Sequence, residues 1–294
     1  MRKETRSLLI LLLTAMIWGM AFAAQRIGSE FVPPITFGAA RYSLGAAVMA
    51  LILYIRRIRQ GSPALPDKKT FMSGVLLGII LTCASLLQQV GIQLTGAGHA
   101  GFLTSLYVVL VPVFGSIIFR TRTQKGVILS LLLTVPALYL LCGDRNGVSL
   151  SVGDSAVILC AVFWAMHILV TDKLAANADP LTLCFVQFAT SGALCLPLAL
   201  IFEGGGFASV GQAIVPILYI GIFSTAAGYT LQTIGQRSAP PAHAALVLSM
   251  ESVFSVLGGV LLLGERLSLR SFFGCALMLT AVIISQISTS RREN

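Results

Sequence analysis

The chain has 294 residues, 56% of them hydrophobic and 11% charged, with a formal net charge of +9. Soluble domains carry about 25% charged residues, so this composition excludes a soluble enzyme, a disordered chain and a nucleic-acid-binding domain. The positive residues fall in short clusters between apolar runs, as orienting charges do at a membrane.

A bilayer core takes about 20 apolar residues of helix, and ten runs of that kind follow in order. The first, 7–27, stands behind Arg2, Lys3 and Arg6 and ends on Ala21-Phe22-Ala23-Ala24, a layout that a cleavable signal peptide shares. Its later copy in the chain assigns it instead to a retained helix. The second, 34–55, follows Pro33-Pro34 and carries Arg41. The third, 71–93, holds Gly74 and Gly78 at the spacing of a close helix-packing motif, and Gln88. The fourth, 99–119, contains His99 and Tyr107, and 126–143 is the fifth. The sixth, 152–172, places Trp164 and His167 on one helical face. The seventh, 181–202, runs into Gly204-Gly205-Gly206, read as a flexible outside loop. The eighth, 211–235, puts Tyr229 and Gln232 on one face, the ninth, 241–263, carries His243 and Glu251, and 270–288 completes the set. Each of the six Cys sits in or beside an apolar run, which reads as small buried hydrophobes rather than disulfides.

With a cytoplasmic N-terminus, fifteen of the twenty basic residues fall inside and four, Arg26, Arg145, Arg266 and Arg270, outside. That bias supports an even number of spans and both termini in the cytoplasm. Short loops and the missing organelle-type leader point to a prokaryotic inner (plasma) membrane.

The runs repeat. At an offset of 146, Ala15, Trp18, Met20, Pro34, Thr36 and Ala47 fall on Ala161, Trp164, Met166, Pro180, Thr182 and Ala193. At 144, Leu87, Gln88, Gly91, His99, Ala100 and Ser105 fall on Leu231, Gln232, Gly235, His243, Ala244 and Ser249. Identities of Trp, His and Gln carry this argument, because the chain has only two Trp and three His. The expected fold is an all-α integral membrane protein of ten transmembrane helices in two five-helix halves, 1–146 and 147–294. Five is odd, so the second half is inverted, the architecture of alternating access around a midplane site.

These features resemble the drug/metabolite transporter superfamily, and within it the EamA-type exporters. The resemblance rests on Ala15 to Phe22 (Ala-Met-Ile-Trp-Gly-Met-Ala-Phe) with Pro33-Pro34 after it, on the second copy around Trp164 and Pro180, and on Leu262-Leu263-Gly264-Glu265-Arg266-Leu267-Ser268 at the end of the ninth helix. It covers residues 8–288. One departure stands out: the first-half counterpart of Gly264-Glu265 is Arg120-Thr121. The resemblance implies transport of small metabolites without ATP, usually export. It also implies a cavity lined by the first, third, fourth, sixth, eighth and ninth helices. Members of the family handle amino acids, nucleotide sugars or toxic organic cations.

Polar residues inside the spans are the site candidates, since a charge at mid-bilayer costs about 2.5–3.5 kcal/mol on insertion scales. Glu251 lies near mid-depth and reads as a proton acceptor or a counter-ion for a substrate ammonium. The alternative is a structural carboxylate satisfied by Arg41 or a helix-end donor. Arg41 itself reads as a snorkelling or packing side chain, or else as a substrate contact. Trp18 and Trp164 are repeat mates able to stack on planar or cationic groups. Gln88 and Gln232 are mates that bind substrate or join helices. Tyr107 matches Glu251 at offset 144 and should face it, while Tyr229 and His167 share faces with Gln232 and Trp164. The substrate-binding set is therefore Trp18, Gln88, Tyr107, Trp164, His167, Tyr229, Gln232 and Glu251. Glu251, His99 and His243 are the coupling and gating candidates; the two His start helices at opposite faces, where a neutral-to-charged change at about pH 6–7 would couple a gate to protons, or simply hydrogen-bond helix ends.

No metal-ligand spacing, Walker sequence or catalytic constellation occurs, so no cofactor, metal or enzyme activity is expected. Partners are a small-molecule substrate, the lipid bilayer and protons as coupling ion, with no nucleic acid. The reading is a secondary-active exporter of small organic metabolites such as amino acids. A passive channel or facilitator on the same scaffold, or a membrane-embedded lipid enzyme, are the alternatives.

Overall fold

The structure is a computed structural model that describes residues 3–61, 66–95, 97–120, 125–142, 151–176, 178–204, 206–263 and 268–290. The orienting charges Arg2, Arg122, Arg145, Arg266, Arg291 and Arg292, the middle loop glycine Gly205 and the Gly264–Leu267 motif lie outside the described residues. So does Thr121, opposite that motif in the first half.

Every regular element among the described residues is helical. α1 (Lys3–Gly28), α2 (Pro34–Gln60) and α3 (Lys68–Thr95) are followed by α4 (Ala97–Ser105), α5 (Tyr107–Ile118) and α6 (Lys125–Cys142). α7 (Val152–Ala175) and α8 (Pro180–Phe202) come next. A continuous stretch then passes through a 3₁₀ segment (Gly206–Ala213), α9 (Ile214–Leu218), a π segment (Tyr219–Gly228) and α10 (Tyr229–Gln236). α11 (Pro241–Leu248), α12 (Glu251–Leu263) and α13 (Leu269–Ser290) complete the order. Among the described residues seven stretches are long and apolar enough to cross a bilayer: Thr5–Gly28, Pro34–Gln60, Lys68–Leu94, Val152–Ala175, Pro180–Phe202, Gly206–Gln236 and Pro241–Leu262. Three shorter apolar helices, Leu103–Ile118, Lys125–Leu140 and Leu269–Ile284, accompany them. This is a multi-pass membrane protein.

Its surface confirms the solvent. Leu51, Ile117, Leu132, Ile201, Leu261 and Leu269 are each more than half exposed, whereas Arg41, Gln88, His167, Gln187, Gln232 and Glu251 are buried. In water that distribution would be ruinous. In lipid it is required, because polar groups can be satisfied only against other helices.

Local chemistry sets the helix starts. Pro34, Pro180 and Pro241 occupy the first helical turn, where the missing N–H costs nothing. α7 opens with a capping box: the Asp154 N–H donates to Ser151 Oγ at 3.1 Å, and the Ser151 N–H donates to the Asp154 carboxylate at 2.9 Å. α2 has no cap of its own and takes one from α8. Glu203, just past α8, accepts from the Ile35 N–H at 3.1 Å, the Thr36 N–H at 2.7 Å and Thr36 Oγ1 at 2.9 Å. At the other end of the same antiparallel pair, Arg56 NH1 meets Asp179 Oδ1 at 2.8 Å, while Asp179 also accepts from the Thr182 N–H and hydroxyl at 3.0 and 2.8 Å. Burial pushes the Asp179 carboxyl up, but the hydrogen bonds from Arg56 and Thr182 outweigh it and hold the group below the usual carboxylate range. α2 and α8, among the most extensively packed pairs of the described residues, are thus tied at both ends.

The Gly74/Gly78 spacing serves α8. A Cβ at Gly78 would stand 2.6 Å from Thr190 Cβ and 2.7 Å from the Gln187 carbonyl oxygen, and one at Gly74 would meet Val186 Cβ at 2.5 Å. α3 therefore approaches α8 at backbone distance. Gly206, read from the sequence as part of a flexible loop, instead packs its backbone against Thr36 and Pro33. Cys83, Cys160, Cys184, Cys195 and Cys275 are free thiols, in keeping with their apolar settings.

The fourth and ninth runs, expected as single helices, are each broken near mid-span. Leu106 separates α4 from α5, and Ser249 with Met250 separates α11 from α12. The turns tighten to i→i−3 bonds: the Leu106 N–H donates to Leu103 O, the Met250 N–H to Val247 O and the Ser252 N–H to Ser249 O. Ser249 Oγ donates back to Leu246 O at 2.7 Å, the kind of side-chain competition that bends helices. Ser105 Oγ and Ser252 Oγ join the two breaks at 2.6 Å.

Candidate functional site

The two breaks decide what stands at the centre of the molecule. They make Tyr107 the first residue of α5 and Glu251 the first of α12. Both line a cleft whose non-atom space, open solvent included, is about 490 Å³. The Tyr107 hydroxyl is directed at the Glu251 carboxyl group without closing a hydrogen bond of ordinary geometry, and both residues are buried. α1 contributes Trp18, Ala21, Phe22 and Gln25; α2, Arg41; α3, Gln88; α4, Thr104. From the other half of the chain come Trp164 and Ile168 of α7, Ser224 of the π segment, and Tyr229 and Gln232 of α10.

One wall is aromatic. The Trp18 ring lies 4.8 Å from Tyr229 and 6.4 Å from Trp164, and Trp164 stacks on Tyr229 at 6.0 Å with an interplanar angle of 20°. The Trp18 indole is fixed by a defect in the eighth span. A π turn bonds N–H to the carbonyl five residues back and an α turn four back, so one carbonyl is skipped where the first gives way to the second. The Tyr229 N–H goes to Thr225 O, and the carbonyl before it, Ser224 O, accepts from Trp18 Nε1 at 3.0 Å. Gly228 admits the indole, since a Cβ there would lie 2.5 Å from Trp18 Nε1.

The rest of the lining is polar. Gln88 Nε2 donates to Thr104 Oγ1 at 3.4 Å. Four buried polar atoms of lining residues have no hydrogen-bond partner in the protein: Tyr107 OH, Trp164 Nε1, Gln232 Oε1 and Arg41 Nε. Buried polar atoms are ordinarily paired. A wall offering donors, an acceptor and aromatic faces suits a small polar organic molecule. Towards the N-terminal end of α1 the helices close on each other. Ser7 Oγ donates to Gly235 O at 2.6 Å, Gln236 Nε2 to Ile168 O at 3.0 Å and Arg237 Nε to Ala175 O at 2.8 Å.

Of the eight residues expected to bind substrate, seven line the cleft: Trp18, Gln88, Tyr107, Trp164, Tyr229, Gln232 and Glu251. His167 stands behind it, with its ring edge-on to Trp164 and Tyr229 at 5.8 and 5.7 Å and Nε2 at 3.2 Å from Gln187 Oε1. His243 lies buried in α11, away from the cleft lining, and His99 falls outside the described side chains. Arg41 does not snorkel. It is buried between helices and lines the cleft, with no ion pair to Glu251. Gln25, Thr104 and Ser224 are lining residues that sequence reasoning missed. Gln25 had a signal, as an amide in the last turns of an apolar run; the two hydroxyl residues had none.

The sequence model of the EamA-like transporter family matches residues 5–143 and again 151–286. An uncharacterized transporter of Archaeoglobus fulgidus is 29% identical over 274 residues, covering 93% of this chain and 83% of its own. The uncharacterized transporter YwfM of Bacillus subtilis is 26% identical over 292 residues, covering 97% and 94%. The uncharacterized inner membrane transporter YicL of Salmonella typhimurium is 24% identical over 303 residues, with 99% of each chain covered. A solved structure titled "Crystal structure of protein" superposes with a TM-score of 0.82 at 17% identity, over 100% of this chain and 99% of that one. At that identity the likeness is one of fold.

Proposed function

The chain belongs to the EamA-like transporter family, and from that premise we propose that it is a secondary-active exporter of small organic metabolites such as amino acids. It works by alternating access between two inverted five-helix halves. The observation that carries the reading is the cleft itself: residues of 1–146 and of 147–294 face each other across it, in repeat-related pairs. Trp18 stands against Trp164, Gln88 belongs with Gln232, and Tyr107 with Glu251. The helix breaks support the same symmetry, since Leu106 and Met250 are 144 residues apart. The family model matches each half separately. Seven long spans and three shorter apolar helices support ten crossings.

In this reading both termini are cytoplasmic and the protein lies in a prokaryotic inner membrane, in keeping with YicL, an inner membrane transporter. The polar seal below the cleft, on the N-terminal side of α1, then makes this arrangement an outward-facing one. The cleft's lining favours transport over membrane-lipid chemistry, because among the described residues no second acid lines it beside Glu251 with which to share catalysis. Substrate recognition falls to Trp18, Gln88, Tyr107, Trp164, Tyr229, Gln232 and Glu251, with His167 bracing the aromatic wall. Glu251 carries the coupling proton, and His99 and His243 sit at the two gates.

The test is flux in proteoliposomes holding the full chain and loaded with labelled amino acids. Saturable counterflow without conductance is expected, and open conductance would turn the reading to a channel. Glu251→Gln is expected to keep counterflow and lose the response to an imposed pH gradient. A gradient response equal to wild type removes Glu251 from the coupling.

A further inference from the structure

Arg41 brings a permanent positive charge into the cleft. The residue is only 4% exposed. Its partners are neutral: NH1 donates to Gln25 Oε1 at 3.3 Å, NH2 donates to the Tyr42 hydroxyl, and Cζ lies 4.4 Å from the centroid of the Tyr42 ring. Two of the five N–H donors of a guanidinium are thereby used, and Nε, itself buried, has no partner. Among the described residues the ion pairs join Arg56 to Asp179 and Lys173 to Asp172, and none reaches Arg41.

An uncompensated charge inside a helix bundle is expensive. A buried carboxylate beside it would have been the simple remedy; here an amide and a phenol occupy those places. They hold the fork in position and leave its charge unspent. A guanidinium in the cleft lining that keeps donors in reserve, the unpartnered Nε among them, suits a carboxylate oxygen.

We infer that Arg41 is the anion subsite of the cleft and binds the carboxylate of the substrate, with Gln25 and Tyr42 as its positioning residues. The inference rests on the cleft being the substrate site. The other pole of the same cleft is Glu251, and Tyr229 lies within electrostatic reach of both charges. A substrate with one negative group fits that pairing; a dianion would meet the Glu251 carboxylate as a second negative charge.

Trp18 and Trp164 are the only two tryptophans in the chain, so intrinsic fluorescence reads the cleft directly. The full chain in nanodiscs is titrated with L-leucine, L-alanine and lactate, each against its carboxamide, and with inorganic phosphate. At least one acid is expected to bind about tenfold more tightly than its amide, the worth of a charge-assisted hydrogen bond. That preference should shrink to within about twofold in Arg41→Gln. Gln25→Glu guards against a misfolded variant: it places a carboxylate where Arg41 NH1 now meets an amide, satisfies the charge internally, and should abolish the acid preference in a protein at least as stable as wild type.

Acids that bind Arg41→Gln or Gln25→Glu as tightly as wild type overturn the inference, as does a wild type indifferent between acid and amide. Phosphate binding more tightly than every acid overturns the carboxylate assignment. Counterflow in proteoliposomes holding the same variants separates the two readings. Equal transport of acid and amide keeps the transporter and removes the subsite, whereas Arg41-dependent acid binding without counterflow keeps the subsite and counts against transport.

Discussion

Removing the carboxylate that caps α2 from the end of α8 should loosen α8 itself. Glu203→Ala deletes three hydrogen bonds, from the Ile35 N–H, the Thr36 N–H and Thr36 Oγ1. Thr36 is fully buried, so its amide has little water to turn to. Loss of a helix cap costs about 0.5–2 kcal/mol, and a bond to a charged acceptor contributes about 1.5–3 kcal/mol. Glu203 is only part-buried and the three bonds share two oxygens, so we expect a loss of about 2 kcal/mol rather than the sum. Glu203→Gln should recover about half of it, because one side of its amide turns a donor toward a donor.

Cys195, a fully buried thiol on α8, supplies the assay. In a variant whose only cysteine is Cys195, alkylation follows local opening of the helix. A loss of about 2 kcal/mol speeds labelling by about 30-fold at neutral pH. Labelling of Glu203→Ala at the wild-type rate would show that water replaces the cap freely and that the reasoning is wrong.

Three further outcomes are expected. Trp18→Phe keeps the ring contacts but strands Ser224 O, and should lower unfolding stability in detergent by about 1–3 kcal/mol; a variant as stable as wild type disproves the skipped-carbonyl account. Gly78→Val pushes a Cβ into Thr190 and the Gln187 carbonyl, and overpacking of that kind costs about 1–3 kcal/mol, so thermal unfolding unchanged from wild type refutes the backbone-distance contact of α3 and α8. The Arg56–Asp179 tie rests on a carboxyl held below its ordinary value. Its contribution, about 0.2–1 kcal/mol for a part-exposed pair, is therefore fully present above about pH 4 and lost as pH falls through the lowered value. The stability gap between wild type and Asp179→Asn should close on acidification, and a gap that widens instead is incompatible with the assigned shift.

Hydropathy located the helices well because lipid demands long apolar runs, and the stretches 34–60, 180–202 and 241–262 lie close to the expected 34–55, 181–202 and 241–263. It says nothing about which face looks inward, since lipid and interior are both apolar. What exposed the cleft in the sequence was polar or aromatic character at matching places in two halves, which is why Trp18 with Trp164 and Gln88 with Gln232 were legible. His167 entered the set by its spacing from Trp164 alone, and spacing along a helix does not distinguish a lining side chain from one a layer behind. Thr104 and Ser224 were invisible because hydroxyls are cheap inside helices, where they bond their own backbone. The breaks at Leu106 and Met250 were invisible too. No Gly or Pro marks them, and the serines that help make them also occur in unbroken helices. Arg41 was seen as a charge, but its sequence setting left snorkelling and packing between helices both open, because its stem is long enough to leave the bilayer and it is the neighbouring Gln25 and Tyr42 that hold it in.

Fastened at opposite edges of the membrane, α2 and α8 cannot tilt against each other without losing either the Glu203 cap or the Arg56–Asp179 bridge. Under the proposed mechanism they make a strut about which the remaining helices swing. Arg41 is the one side chain this strut sends into the cleft. A cargo gripped there would stay pinned to the stationary frame while the aromatic wall and Glu251 travel past it, so the acid end of the cargo would be the last contact made before departure and the first after arrival.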